Sequence, residues 1–240
     1  SASMQNAGTV GVTFNSSSLN QFISIISSPF NWLEASFYYH RPRNTIFIKR
    51  GQFLDKGFNV KIGTTIKNIN FAMGIDDIAG TGFLSKEYVV ATTNFRGLSL
   101  TVGAGTGALA GDKTFKNPFS NFRNRPIKNF YNNQNNQGGE VDFNTFFKGP
   151  IGIFGGIEYR SKRFSGLTFK LESNPYDYNE FLGGGTFTPK SIQNRKKEKD
   201  YNYGIYFQLK NNLNLSISSI KGNTFDIKIS KKFDFNQKRS

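Results

Sequence analysis

A single histidine, one adjacent pair of acids and three runs of basic residues are the only side chains here that invite a chemical reading. His40 is the only histidine in 240 residues, and there is no cysteine. A hydrolytic site would need that imidazole beside a serine and an orienting acid or amide. His40 sits at the end of an apolar-alternating segment, just before Arg41-Pro42-Arg43. The sequence therefore reads it as a solvated histidine at the rim of a loop. Metal sites need convergent His, Asp or Glu ligands, and Asp76-Asp77 is the only adjacent acidic pair. No catalytic residue, metal or cofactor is expected.

The run Asp76-Asp77-Ile78-Ala79-Gly80-Thr81-Gly82 has the glycines of a phosphate loop. It lacks the lysine and the helix that such a loop requires. It is read as a tight outer loop whose glycines take positive φ. The basic residues gather elsewhere: Arg41 and Arg43; Lys113, Lys116, Arg123 and Arg125; Lys196 and Lys197. Phe115, Phe119 and Phe122 interleave with the second group. Arginine forks and aromatic faces in this pattern suit phosphate or an acidic polymer. The alternative is plain solvation of the loops. A net charge of +15 fits an anionic partner. Charge scattered over loops does not resemble the single basic face of a nucleic-acid binder.

The elements that hold these loops are legible as strands. In Tyr201–Lys210 the odd positions are Tyr, Tyr, Ile, Phe and Leu, and the even ones Asn, Gly, Tyr, Gln and Lys. Period 2 puts these sets on opposite faces of a strand. The pattern recurs at Phe58–Ile66, Ile69–Asp76, Leu98–Gly103, Ile151–Arg160, Leu167–Glu172, Leu213–Ser218 and Phe225–Phe235. Shorter segments at Val10–Phe14, Phe22–Ser27, Leu33–Tyr39 and Tyr88–Phe95 bring the expectation to twelve strands. The connections alternate in length. Ser27–Asn31, Lys67–Asn68, Phe95–Gly97, Arg160–Ser165 and Asn211–Asn212 are short. His40–Asp55, Asp77–Lys86, Gly105–Gly149 and Asn174–Asp200 are long.

An even strand count with loops sorted by parity predicts an all-β fold: a closed antiparallel up-and-down transmembrane β-barrel. Its short turns would be periplasmic and its long loops extracellular. The apolar face should then meet lipid, since a polar group in hydrocarbon needs a partner. The other face, with Glu34, Lys61, Asp76, Glu158, Lys170, Glu172, Lys210, Asp226 and Lys228, should line the lumen, where opposite charges would pair across it. The competing fold is a soluble sandwich with one wet face.

Several stretches resemble the YjbH family, also called GfcD in capsule clusters, of outer-membrane proteins linked to exopolysaccharide production and export. They are Ser1–Phe14, Phe30–Tyr39 (FNWLEASFYY), Asp55–Val60 (DKGFNV), Asp76–Tyr88 (DDIAGTGFLSKEY), Asn117–Ser120, Gly149–Tyr159 (GPIGIFGGIEY), Leu167–Glu172 and Gly222–Ile227. They run in family order across nearly the whole chain. Lys86 before Glu87 departs from the usual serine. The resemblance implies the amino-terminal barrel of a longer, two-part protein, with residues 1–240 as one domain. It implies a scaffold or polymer-interacting component of exopolysaccharide or capsule secretion, in the outer membrane of a Gram-negative bacterium and not an enzyme. Expected partners are outer-membrane lipid and lipopolysaccharide, an anionic exopolysaccharide and other export-system proteins, with no nucleic acid. The alternatives are a narrow channel for small solutes and a barrel-embedded lipid hydrolase.

Overall fold

The protein is seen in a computed structural model that describes residues 1–18, 20–42, 55–80, 84–111, 114–118, 141, 143, 145–176 and 199–236. Its strands are β1 (Thr9–Ser17), β2 (Asn20–Phe30), β3 (Leu33–Pro42), β4 (Asp55–Ile66), β5 (Ile69–Asp76), β6 (Lys86–Phe95) and β7 (Leu98–Gly105). A two-residue strand β8 (Thr114–Phe115) follows. Then come β9 (Ile151–Arg160), β10 (Leu167–Ser173), β11 (Tyr201–Gln208), β12 (Leu213–Ile220) and β13 (Thr224–Asp234). Apart from β8, which adds a short pairing to β9, each strand pairs antiparallel with the next. β1 pairs with both β2 and β13, so twelve strands close into a barrel with no free edge.

Closure lets every strand satisfy its N–H and C=O groups within the sheet, which a lipid environment demands. The register then decides which side chains meet lipid. One cross-strand row reads Phe169, Ile205, Ile217, Ile227. The neighbouring row of the opposite face reads Lys170, Gly204, Ser218, Asp226. The first row points outward: Phe169 is 45 % exposed and Ile227 39 %. The second points in, and Asp226 is buried. Only Ala2, Tyr38, Ala72, Leu84 and Val90 form buried apolar core among the described residues. A sandwich would bury Phe58, Ile69 and Ile227 together. Here all three face outward, so the soluble alternative fails.

Among the described residues no helix is long and apolar enough to cross a membrane; the crossing is made by strands. The short turns carry the left-handed backbone that tight hairpins need, at Lys67 (φ 55°), Arg96 (φ 49°) with Gly97 (φ 88°), and Asn211 (φ 58°). The register shifts between Ser27 and Phe30, where β2 bulges before its turn. Lys231 is the one break in the apolar face of β13, and it lies over the Phe233 ring at 5.4 Å. A long lysine near a strand end reaches the interface, so the break is tolerated.

Ile217→Arg, mid-strand on the outward face, should cost about 2–4 kcal/mol of folding stability in lipid. Ser216→Arg, one residue along and facing the lumen, should cost far less. Urea titrations of both variants in phospholipid vesicles check the difference.

Candidate functional site

The lumen is the concave, polar part of the molecule, and the chain's own first residues occupy part of it. Ahead of β1 the segment Ser1–Asn6 runs inside the barrel. The Ala7 amide donates to Asn31 Oδ1 at 2.7 Å, and the Gln5 amide to Glu34 Oε1 at 2.6 Å. Lys61 Nζ donates to the Ser3 carbonyl at 3.0 Å, and the Ala2 amide to Thr92 Oγ1 at 2.8 Å. Ala2 is fully buried against Ala72 and Val90, with Tyr88 and Phe154 around them. The segment thus passes the inner wall of β3, β4, β5 and β6 in turn. Gly63 makes room for it, since a Cβ there would meet Met4 Sδ at 2.7 Å and the Phe71 carbonyl at 2.9 Å.

The inward charges pair sideways, not across the lumen as the sequence suggests. Lys61 meets Glu34 at 2.5 Å, Lys86 meets Asp76 at 2.8 Å and Lys170 meets Glu158 at 3.0 Å. Each pair is directly opposite on adjacent strands. Facing residues on neighbouring strands lie about 4.5–5.5 Å apart at Cβ, within easy reach of a lysine. Asp226 is held by Asn15 Nδ2 at 2.8 and 2.9 Å and by Ser218 Oγ at 3.3 Å. Glu172 accepts from Asn202 Nδ2 at 3.2 Å. Lys228 faces inward opposite Asn15 and Ser216.

The lumen therefore has two sides. Along β3–β6 it is filled by the amino-terminal segment. Along β9–β13 it keeps an accessible polar strip of Glu158, Lys170, Glu172 and Lys228, with Lys170 Nζ 5.3 Å over the Tyr206 ring. Lys210 does not belong to this strip. β11 ends at Gln208, and Lys210 is exposed in the short helical turn Lys210–Asn212. Leu209 prolongs the alternation past the real strand end, which is why the sequence misplaces it.

His40 is a second correction. It is not a wet rim residue but fully buried, facing inward, with its ring stacked on Phe22 at 4.2 Å. The β3 strand runs on to Pro42, so the rim lies beyond it. At the glycine-rich loop the positive φ falls on Asp77 (60°) and not on Gly80. Asp77 is buried, and its carboxylate accepts from the Leu84 amide at 3.1 Å while its own amide donates to Asn59 Oδ1 at 3.0 Å. Gly80 is small because a Cβ would run into Asp77 Oδ1 and the Lys56 carbonyl. The loop folds around its own carboxylate. Thr81 and Gly82 lie outside the described residues.

Glu87 was not singled out by the sequence. It has outward parity, yet it is buried at the loop-side rim. There it accepts from Thr106 Oγ1 and from the Phe147 amide at 3.0 Å, tying the 145–148 loop to the barrel wall. Of the loop cations, Arg41 and Lys116 are exposed. Arg43, Lys113, Arg123, Arg125, Lys196 and Lys197 lie outside the described residues. Among the described residues no group of His, Asp or Glu could hold a metal ion.

The profile of the YjbH family, exopolysaccharide biosynthesis protein YbjH, matches residues 1–240. An uncharacterized lipoprotein, YjbH of Escherichia coli K12, is 26% identical over 247 residues, covering 99% of this chain and 34% of the relative. The chain thus spans about a third of that protein's length. Among solved structures it is similar to the KdgM porin (TM-score 0.46, 8% identity, 95% of this chain and 99% of that one). It is also similar to the NanC porin (TM-score 0.41, 10% identity, 92% and 97%). The inside-out barrel and the relative from a Gram-negative bacterium locate the chain in the outer membrane.

Lys61→Met leaves the Glu34 carboxylate buried beside the amino-terminal segment, at a cost of roughly 3 kcal/mol. Hydrogen exchange at Ala2 and Gln5 should quicken in that variant, while β11 and β12 keep wild-type protection.

Proposed function

The chain belongs to the YjbH family of exopolysaccharide biosynthesis proteins, and on that footing we propose that its barrel is a scaffold and polymer-contacting component of exopolysaccharide or capsule secretion, not a free conduit. The observation that carries this reading is the occupied lumen. Ser1–Asn6 makes three hydrogen bonds to the inner wall of β3–β6, and the Ala7 amide adds a fourth to the flanking turn. The room left inside lies along β9–β13, on one side of the lumen. Polymer contact then falls to the outer loops. There Arg41 and Lys116, with Arg43, Lys113, Arg123, Arg125, Lys196 and Lys197 of the long connections, offer cations to acidic sugars and to lipopolysaccharide phosphates. The family role is non-catalytic in this reading. The hydrolase alternative needs His40 beside a serine and an orienting acid, whereas its buried ring is seen stacked on Phe22. Because the chain covers 34% of the E. coli relative, we take the barrel as one part of a longer protein.

A narrow channel for small solutes is the second reading, favoured by the accessible strip of Lys170, Glu172 and Lys228. Two measurements separate them. Removal of the gene should abolish surface exopolysaccharide, and Arg41→Gln with Lys116→Gln should lower it in the restored strain. In planar bilayers the barrel should show little steady conductance. Deleting Ser1–Asn6 should raise it several-fold. Large, stable conductance from the intact chain with unchanged surface polymer would favour the channel.

A further inference from the structure

The lipid-facing wall is not uniform. On β4–β9 it sinks into a groove of about 740 Å³ lined almost wholly by apolar side chains. The register explains the depression. One outward row reads Thr64, Phe71, Ala91, Val102, Gly155 across five barrel strands, so small residues alternate with large ones. Met73 and Trp32 line it as well.

Directly below, at the short-turn end, are two cations. Lys67 forms the β4–β5 turn and Arg96 the β6–β7 turn, and both are exposed. The Arg96 guanidinium lies 5.1 Å from the centre of the outward Phe95 ring, which holds it at the barrel's lipid perimeter and not over the mouth. No acidic residue occurs in either turn. Trp32 is 55 % exposed in the neighbouring β2–β3 turn, stacked on Phe30 at 5.4 Å, and its carbonyl accepts from the Gly63 amide. A tryptophan so placed marks headgroup depth.

We infer that this face binds an anionic phospholipid of the inner leaflet, with its phosphate between Lys67 and Arg96 and an acyl chain in the groove. Thr64 precedes Lys67 by three residues and Ala91 precedes Arg96 by five, which are about 10 and 17 Å of strand. One leaflet of hydrocarbon is about 15 Å deep. A chain hanging from a phosphate at the two cations therefore reaches the groove. The short turns are the periplasmic end, so the occupant comes from the inner leaflet and not from lipopolysaccharide. This site is independent of the role in polymer secretion.

Native mass spectrometry of the barrel released from nanodiscs tests the assignment, with phosphatidylglycerol, phosphatidylcholine or lipid A supplied in turn. Two surface cations predict roughly a 30-fold preference for phosphatidylglycerol over phosphatidylcholine. Lys67→Gln with Arg96→Gln should erase that preference. Ala91→Phe should weaken retention of both phospholipids by filling the groove. Equal retention by the wild type and the double variant overturns the proposal, as does tighter binding of lipid A. A dimer lost on Ala91→Phe, with no lipid preference, would overturn it in favour of a second copy on this face. Heat-modifiability on gels reports folding; should Ala91→Phe fail to fold, the double turn variant decides alone.

Discussion

A strand in hydrocarbon has no water to bond, so every backbone N–H and C=O must find a partner inside the sheet. That constraint shapes everything else in this chain. It forces β13 back onto β1, because an open edge would leave a row of unpaired groups in lipid. It also reverses the usual order of a fold. Phe58, Val102 and Phe225 face outward and are at least half exposed, while Glu34, Thr92 and Asp226 are buried inside. Stability then comes from the closed ladder and from apolar side chains in acyl tails, with a small apolar cluster around Ala2, Ala72 and Val90 within.

The same geometry governs charge. A residue on the inner wall has its nearest neighbour directly opposite on the next strand, a few ångströms away, whereas the far wall lies across the lumen. Carboxylates and lysines therefore neutralise one another laterally, as Glu34–Lys61, Asp76–Lys86 and Glu158–Lys170 do. Apart from Lys228 and Lys231 of β13, exposed positive charge gathers at the strand ends and turns, at Lys67, Arg96, Lys162, Arg163 and Lys210 on one rim and Arg41 and Lys116 on the other side. Those are the regions that meet headgroups, lipopolysaccharide or polymer.

Much of this was legible beforehand because period-2 alternation is a direct projection of the two environments onto the sequence. The strand count and the inward set around Lys170 and Asp226 follow from it, but the sorting of loop lengths is incomplete: β1–β2 and β12–β13 are joined by short connections on the rim that carries the long loops. What alternation cannot carry is where a strand stops and what fills the lumen. Lys210 continues the pattern of Tyr201–Leu209, but a turn with Asn211 at positive φ ends the strand first. His40 looks terminal because apolar alternation fades there, yet hydrogen bonding extends β3 to Pro42. Ser1–Asn6 has no period at all. Its place is set by long-range bonds to Glu34, Lys61 and Thr92 that no local pattern announces. Asp77 was read as part of a glycine loop, whereas its own carboxylate organises the turn.

The absence of cysteine makes the inside-out wall directly accessible to labelling. Single cysteines would be placed one at a time from Tyr203 to Phe207 of β11 in the membrane-inserted chain. Each would carry a fluorophore read against quenchers attached to lipid acyl chains and against water-soluble quenchers. Positions 203, 205 and 207 should be quenched from lipid and positions 204 and 206 from water, in strict alternation. Uniform quenching from water along the strand, or the opposite phase, would contradict it.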